Sequence, residues 1–168
     1  MESKAVQKGV ALPTKVDADS YNSLVRAAKL ATIQLVESNF KITPEYFTKL
    51  EPSGRKRGFH CDIDNISIES DRRAFWAHLI WHTYVKLGKK FLFRLDCDYL
   101  CAYSAEFDQH ANFDHVTEQN VTLFLERVGK VATYPYFRAT ASQFSWAANA
   151  DLPMLPVLKS FPIRSAKK

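Results

Sequence analysis

The stretch Ala74–Tyr103 constrains this chain more than any other part of it. It reads AFWAHLIWHTYV, then KLGKK, then FLFRLDCDYLCAY. In the second run Phe91, Phe93, Leu95, Cys97, Tyr99, Cys101 and Tyr103 share one phase, and Arg94, Asp96 and Asp98 occupy the other. Alternation with a period of two marks a half-buried strand, apolar on one face and polar on the opposite one. In the first run Phe75, Leu79, Trp81 and Val85 form one face, and Trp76, His78, Ile80, His82 and Tyr84 form the other. That second face is too apolar to lie bare in water, so a helix, a partner subunit or a ligand chain is expected to cover it. Gly88-Lys89-Lys90 supplies a turn. The pattern predicts a long antiparallel hairpin at the centre of a sheet.

The remaining elements are read around that hairpin. Residues 1–16 form a flexible arm, 17–162 a single domain and 163–168 a basic tail. Asp17 and Asp19-Ser20 are N-cap candidates for an amphipathic helix over Ser20–Val36, because Tyr21, Leu24, Val25, Ala28, Ala31 and Leu35 recur at helical spacing. Glu37–Lys49 turns β-branched and aromatic and reads as a strand, which Pro44 confines to an edge or a bulge. Leu50–Gly58, with Pro, Ser, Gly and basic residues, is a loop. Phe59–Ile68 is a strand in which Phe59, Cys61 and Ile63 face one way and Ile66 and Ile68 the other, with a bulge at Asp64-Asn65. The four strands are expected to pair in chain order.

After Phe107 the spacing becomes helical, with Asp114 and Thr117 as caps and Val121, Phe124, Leu125, Val128 and Ala132 recurring. Tyr134-Pro135 is expected to break that run and start a second helix over Tyr136–Ala148. Leu152–Leu158, with two prolines, is expected to pack as an extended segment. Strands followed by helices, without βαβ alternation, predict an α+β fold: a four-stranded antiparallel sheet with helices packed on one face.

Composition narrows the class. The chain has 168 residues, 46% hydrophobic and 24% charged, enough for one domain with a substantial core. The amino-terminal MESKAVQKGVALPTK lacks the apolar core of a secretion signal. The longest uncharged runs, Ala74–Val85 and Ala139–Ala150, fall short of the ~20 residues that span a bilayer. Three cysteines without paired spacing suit reduced thiols in the cytoplasm. The net charge of +5 draws partly on Arg55-Lys56-Arg57 and on the tail Lys159, Arg164, Lys167 and Lys168. A solvated loop and a tail account for it, and attraction to nucleic acid or to acidic proteins is the functional alternative.

No active site assembles from the sequence, so a binding protein without cofactor is expected rather than an enzyme. His78 and His82 have the i, i+4 spacing of a helical zinc pair, but on a strand four residues span ~13 Å and cannot share one ion. No metal site is expected. Asp96 and Asp98 share a polar strand face ~7 Å apart, where pairing with Arg94 is the simplest role. Cys97 and Cys101 lie on the buried phase as core thiols. Single-stranded nucleic acid would need aromatics beside Lys and Arg on one sheet face, whereas the aromatics of Phe91–Tyr103 sit in the phase opposite Arg94.

The order of elements resembles the SecB export-chaperone family over roughly Ile33–Pro162. Its most specific match is VATYPYFRATASQFSWAANADLPMLPVLKSFP (Val131–Pro162), with an aromatic-Pro-Tyr-x-Arg helix start and a Leu-Pro ending. FHCDIDNIS (Phe59–Ser67) looks like the family's second strand, and LGKKFLFRLDCDY (Leu87–Tyr99) like its third turn and fourth strand. The resemblance implies an ATP-independent holdase for unfolded or precursor polypeptides, assembled as a dimer of dimers. By position Phe59, Cys61 and Ile63 would line an apolar client groove, and Tyr46, Phe47 and Leu50 would belong to its crossover loop. Trp76, Ile80, Arg94 and Asp96 would lie on a partner-facing sheet. Burial of unfolded apolar segments gains ~25 cal/mol per Å² without sequence-specific hydrogen bonds, which suits a groove of this composition.

Two departures bear on partners. Export members are acidic and engage the export motor SecA through acidic sheet residues, whereas this chain is basic, with Lys89-Lys90 at the turn. Asp96 matches one acidic contact position, but Arg94 replaces its apolar neighbour. The helix expected over Ser20–Val36 is longer than in export members and more like SecB-like chaperones found beside toxin–antitoxin pairs, which makes an antitoxin a further candidate client.

Overall fold

The computed structural model describes residues 18–48, 54–71, 73–106, 116–150 and 155. The predicted arm, the tail, Asp17, Leu50, Asp114 and Leu152–Leu158 apart from Leu155 lie outside the described residues. Helix α1 (Ala18–Ala27) leads into strand β1 (Ala28–Ile42), a one-turn 3-10 helix (Pro44–Tyr46), β2 (Arg55–Glu69), β3 (Ala74–Leu87) and β4 (Lys90–Ala105). Helix α2 (Glu118–Phe124) then passes through a π-helical turn (Leu125–Gly129) into α3 (Lys130–Ala147). All neighbouring strands are antiparallel, and the helices cover one face of the sheet. The expected α+β fold is the observed one.

The order across the sheet is β1-β4-β3-β2, not the chain order expected from the sequence. The hairpin sits in the middle, and the link from β1 to β2 carries the chain past the ends of β4 and β3. Leu87 pairs with Lys90 across a two-residue turn, where Gly88 takes the left-handed φ of 58° that tight hairpins demand. Lys90, expected in the turn, already belongs to β4.

The helix predicted over Ser20–Val36 ends at Ala27, and the rest of that stretch is β1. Two register shifts, between Leu30 and Thr32 and between Leu35 and Glu37, explain the misreading. Partners on β4 place Ala28, Leu30, Ile33, Leu35, Ser38, Phe40 and Ile42 on the helix-covered face. Two of the steps between them span three residues, so a bulged strand imitates helical spacing. Pairing along β4 satisfies a long row of backbone groups, and that demand overrides a marginal helix propensity.

Bulges also correct two facing assignments. In β2 the register shifts between Asp64 and Ser67, with Asn65 at φ 51°, so the bulge falls where the sequence placed it. It absorbs the change of phase, however, and Ile66 and Ile68 pack on the same core as Ile63 rather than on the opposite face. In β4 a shift between Phe91 and Phe93 buries Leu92 and turns Phe91 to the face of Arg94. β2 also begins at Arg55, inside the predicted loop.

The core has two clusters on the helix face of the sheet. One joins Tyr21 and Leu24 of α1 to Phe75, Leu79 and Tyr103 of the hairpin and to Val121, Phe124 and Leu125. The other seats Tyr134, Phe137 and Ala141 of α3 on Trp81, Val85, Phe93, Leu95, Cys97 and Tyr99. Thr117 caps α2, accepting from the Asn120 amide. Pro135 does not end the helix as expected. Pro135 and Val131, four residues before it, both lie on the exposed side, where water can serve the carbonyl that proline leaves unpaired. The irregularity comes earlier, at the π turn, where Gly129 packs against Leu125 of the same turn and Leu79 of β3.

Candidate functional site

On the helix face one apolar cluster under α3 carries two groups of stacked aromatic side chains, and each group reaches the surface. Phe59 of edge strand β2 is half-buried, stacked on Trp81 with centroids 5.3 Å apart and on Phe137 at 6.1 Å, with Tyr134 edge-on at 5.6 Å. Trp81 is fixed from above, because its indole Nε1 donates to Thr133 Oγ1 at 3.0 Å and Thr133 donates to the Gly129 carbonyl at 3.0 Å. Tyr99 and Thr140 hydroxyls meet at 2.7 Å, a second tie between sheet and α3. Towards β1, Phe93 meets Phe40 edge-on at 5.7 Å, and Phe40 stacks on Phe144 of α3 at 4.9 Å.

The second exit is the segment after β1. Tyr46 packs 6.0 Å from Phe93, and Phe47 lies against Tyr46 at 5.6 Å with half its surface exposed, 52%. Arg55 holds this segment to the start of β2, donating to the carbonyls of Tyr46 at 3.5 Å and Thr48 at 3.1 Å, with its guanidinium 5.8 Å from the Tyr46 ring centre. Lys90 holds it to the hairpin turn through Glu45 at 2.5 Å. That bond keeps the Glu45 carboxyl well below its usual range, at about 2.

Of the predicted groove residues, the structure gathers Tyr46, Phe47 and Phe59 around the aromatic cluster under α3. Cys61 touches both clusters, and Ile63 packs on the other one, beneath α1 and α2. Burial pushes the Cys61 thiol up to about 12, so it stays protonated and acts as a small apolar group. Cys97 is likewise raised to about 12 and Cys101 is raised too, as expected for core thiols.

The opposite face of the sheet carries no helix among the described residues. Trp76, Ile80, Arg94 and Asp96 all lie on it, but spread along its length, with Trp76 beside Ala102 and Arg94 beside Tyr84. Its middle rows are acidic and histidine-bearing despite the net positive chain. His78 Nδ1 meets Asp98 at 2.9 Å, and His82 Nδ1 meets Asp96 Oδ1 at 2.7 Å, so the two histidines serve separate aspartates. Arg94 Nε donates to Asp96 Oδ2 at 2.6 Å, the pairing expected from the sequence. The end near the turn is basic and aromatic: Lys86 Nζ lies 4.1 Å from the Phe91 ring centre and 4.6 Å from Tyr84, and Arg94 lies 5.2 Å from Phe91. Tyr84 covers Gly58 across the strand pair, where any Cβ would meet the tyrosine ring at 2.0–2.4 Å. The bulge in β4 thus creates the basic–aromatic surface that strict alternation appeared to exclude.

No family model matches the chain, and no curated protein sequence does. Among solved structures the chain is similar to the Mycobacterium tuberculosis SecB-like chaperone Rv1957, solved in complex with a ChAD peptide from the Rv1956 HigA1 antitoxin. The match has a TM-score of 0.66 at 14% identity and covers 86% of this chain and 99% of that one. The fold is that of the SecB-like chaperones, as the sequence resemblance implied. No helix among the described residues is long and apolar enough to cross a membrane.

Proposed function

We propose that the protein is an ATP-independent holdase, cytoplasmic and without enzymatic activity, that holds unfolded or aggregation-prone polypeptide on the helix-side aromatic surface. The observation that carries this is one apolar cluster under α3 that surfaces through two aromatic groups, at Phe59 of β2 and at Phe47 within the link between β1 and β2. An unfolded segment exposes apolar side chains, and such a surface buries them with little demand on sequence. Tyr46, Phe47, Phe59, Cys61 and Ile63 are its proposed lining, with Leu50 assigned from the resemblance alone. The likeness to a chaperone solved with an antitoxin peptide favours a dedicated client such as an antitoxin over general export. The basic end of the open face, at Lys86 and Arg94, adds to that preference over docking to SecA.

Assembly follows from the edges. β2 is guarded by Arg55, Lys56, Arg57, Asp62 and Asp64, whereas β1 leaves Leu30, Leu35 and Val36 between 42% and 52% exposed. An edge of that character is covered in a soluble protein, and a second copy in a dimer of dimers would cover it. The proposal predicts that stoichiometric protein suppresses light scattering from a denatured client equally with and without ATP. No suppression would refute it. A second reading, a single-stranded nucleic-acid module, is favoured by the Phe91–Lys86–Arg94 corner, and tight oligonucleotide binding in place of suppression would establish it.

A further inference from the structure

The β2–β3 register sets His60 directly across from His82 on the open face, with Asp62 two residues along the same strand face. The rings of His60 and His82 stack, with centroids 4.6 Å apart and planes 26° from parallel. Asp62 Oδ2 is 3.4 Å from His82 Nε2 and 3.7 Å from His60 Nε2, and one ligand atom from each residue falls within 4.8 Å of the others. Those separations are long for hydrogen bonds. They are close to the spacing of neighbouring vertices around zinc, since bonds of ~2.0–2.2 Å in a tetrahedron put ligand atoms about 3.3–3.6 Å apart. The His60–Asp62 separation exceeds that spacing by a few tenths of an ångström, and the His60 side chain, half exposed, turns out of its stack on His82 to aim Nε2 at the shared ion.

The third observation is the support behind His82. Its Nδ1 is 2.7 Å from Asp96 Oδ1, while the other Asp96 oxygen accepts from Arg94 Nε at 2.6 Å. A carboxylate so placed holds the Nδ1–H tautomer and leaves the Nε2 lone pair pointing at Asp62. Two acceptors then face one another, an arrangement that a cation between them relieves. We propose that His60 Nε2, Asp62 Oδ2 and His82 Nε2 bind one divalent transition-metal ion of the zinc class, with Asp96 as the positioning residue. Two imidazoles and one carboxylate suit zinc, nickel or copper rather than magnesium or calcium, which prefer all-oxygen shells. The remaining vertex faces solvent and takes water. The ion clamps edge strand β2 to β3 independently of any client bound on the other side of the sheet.

The test uses the untagged full-length protein, freed of metal by chelator and titrated with zinc alone by calorimetry, with cobalt absorbance reporting the coordination geometry. One ion per chain is expected, together with a thermal midpoint that rises with zinc. His60→Ala and His82→Ala should each weaken binding at least ~30-fold and abolish the rise in midpoint, and Asp96→Asn should weaken binding ~10–100-fold. His78→Ala is the internal control, because His78 pairs with Asp98 on the same face but belongs to no three-ligand cluster among the described residues, and it should bind as the parent does. Circular dichroism establishes that each variant is folded. Absence of binding by the parent at about 100 µM zinc, or binding that survives both His60→Ala and His82→Ala, would overturn the assignment.

Discussion

Thr133→Val probes how α3 is fastened to the hairpin, and with it the wall of the proposed client surface. The change keeps the shape of the side chain but removes the oxygen that accepts from a buried indole N–H, since Trp81 is 2% exposed and Thr133 0%. Leaving a buried donor unpaired costs about 1–3 kcal/mol. For a chain of this length each kcal/mol lowers the thermal midpoint by about 2–4 °C, so a cost of ~2 kcal/mol shifts it ~4–8 °C. Trp81→Phe removes the donor and should itself be destabilising through lost ring volume. In that background Thr133→Val should cost less than about 0.5 kcal/mol, giving a coupling of about 1–2 kcal/mol in the double-mutant cycle. Urea unfolding of the four proteins at one fixed protein concentration measures it, because an oligomer's midpoint moves with concentration. Equal costs of Thr133→Val in both backgrounds would refute the argument that this bond docks the helix.

Three further outcomes follow from named contacts. The Glu45 carboxyl is held at about 2 against an ordinary 4.5, so the Glu45–Lys90 tie is complete above pH 4.5 and is lost as pH falls through 2. A carbon-13 titration of Glu45 should show that low midpoint, and Lys90→Met should return it towards 4.5. Burial keeps Cys61, Cys97 and Cys101 protonated, so the native protein should resist alkylation at pH 8 and react at all three thiols once unfolded. Leu35→Lys with Val36→Lys on the β1 edge should yield a smaller species in sedimentation velocity with an unchanged far-ultraviolet spectrum.

The hairpin was legible because its two faces meet different surroundings, core on one side and, among the described residues, no helix on the other, so burial imposes a clean period of two. β1 was not, because its bulges stretch two steps to three residues and bring Ala28, Leu35 and their neighbours into apparent helical phase. Phe91 was assigned to the wrong face for the same reason, a single extra residue at Leu92. Pro135 pointed to a helix break since sequence alone cannot say that Val131 would face water. His60 carries no metal-binding signal along the chain, where the ligand-like spacing falls between His78 and His82. The cluster forms across the β2–β3 pair, at a separation only the register defines. The opposed placement of His60 and His82 in adjacent strands, once pairing was known, was the signal that could have found it.

The central claim is that exposed aromatic surface beside the β1–β2 link binds unfolded polypeptide. Phe47→Asp tests it most directly, since Phe47 is 52% exposed and its loss should leave the fold intact. The measurement is the affinity for a fluorescent, permanently unfolded polypeptide, reduced and carboxymethylated, by anisotropy with and without ATP. Losing the burial of roughly half a phenylalanine, about 1.4 kcal/mol, predicts binding weakened about tenfold and indifferent to ATP. A parent protein that does not bind the polypeptide, or a Phe47→Asp variant that binds it as tightly as the parent, would contradict the account.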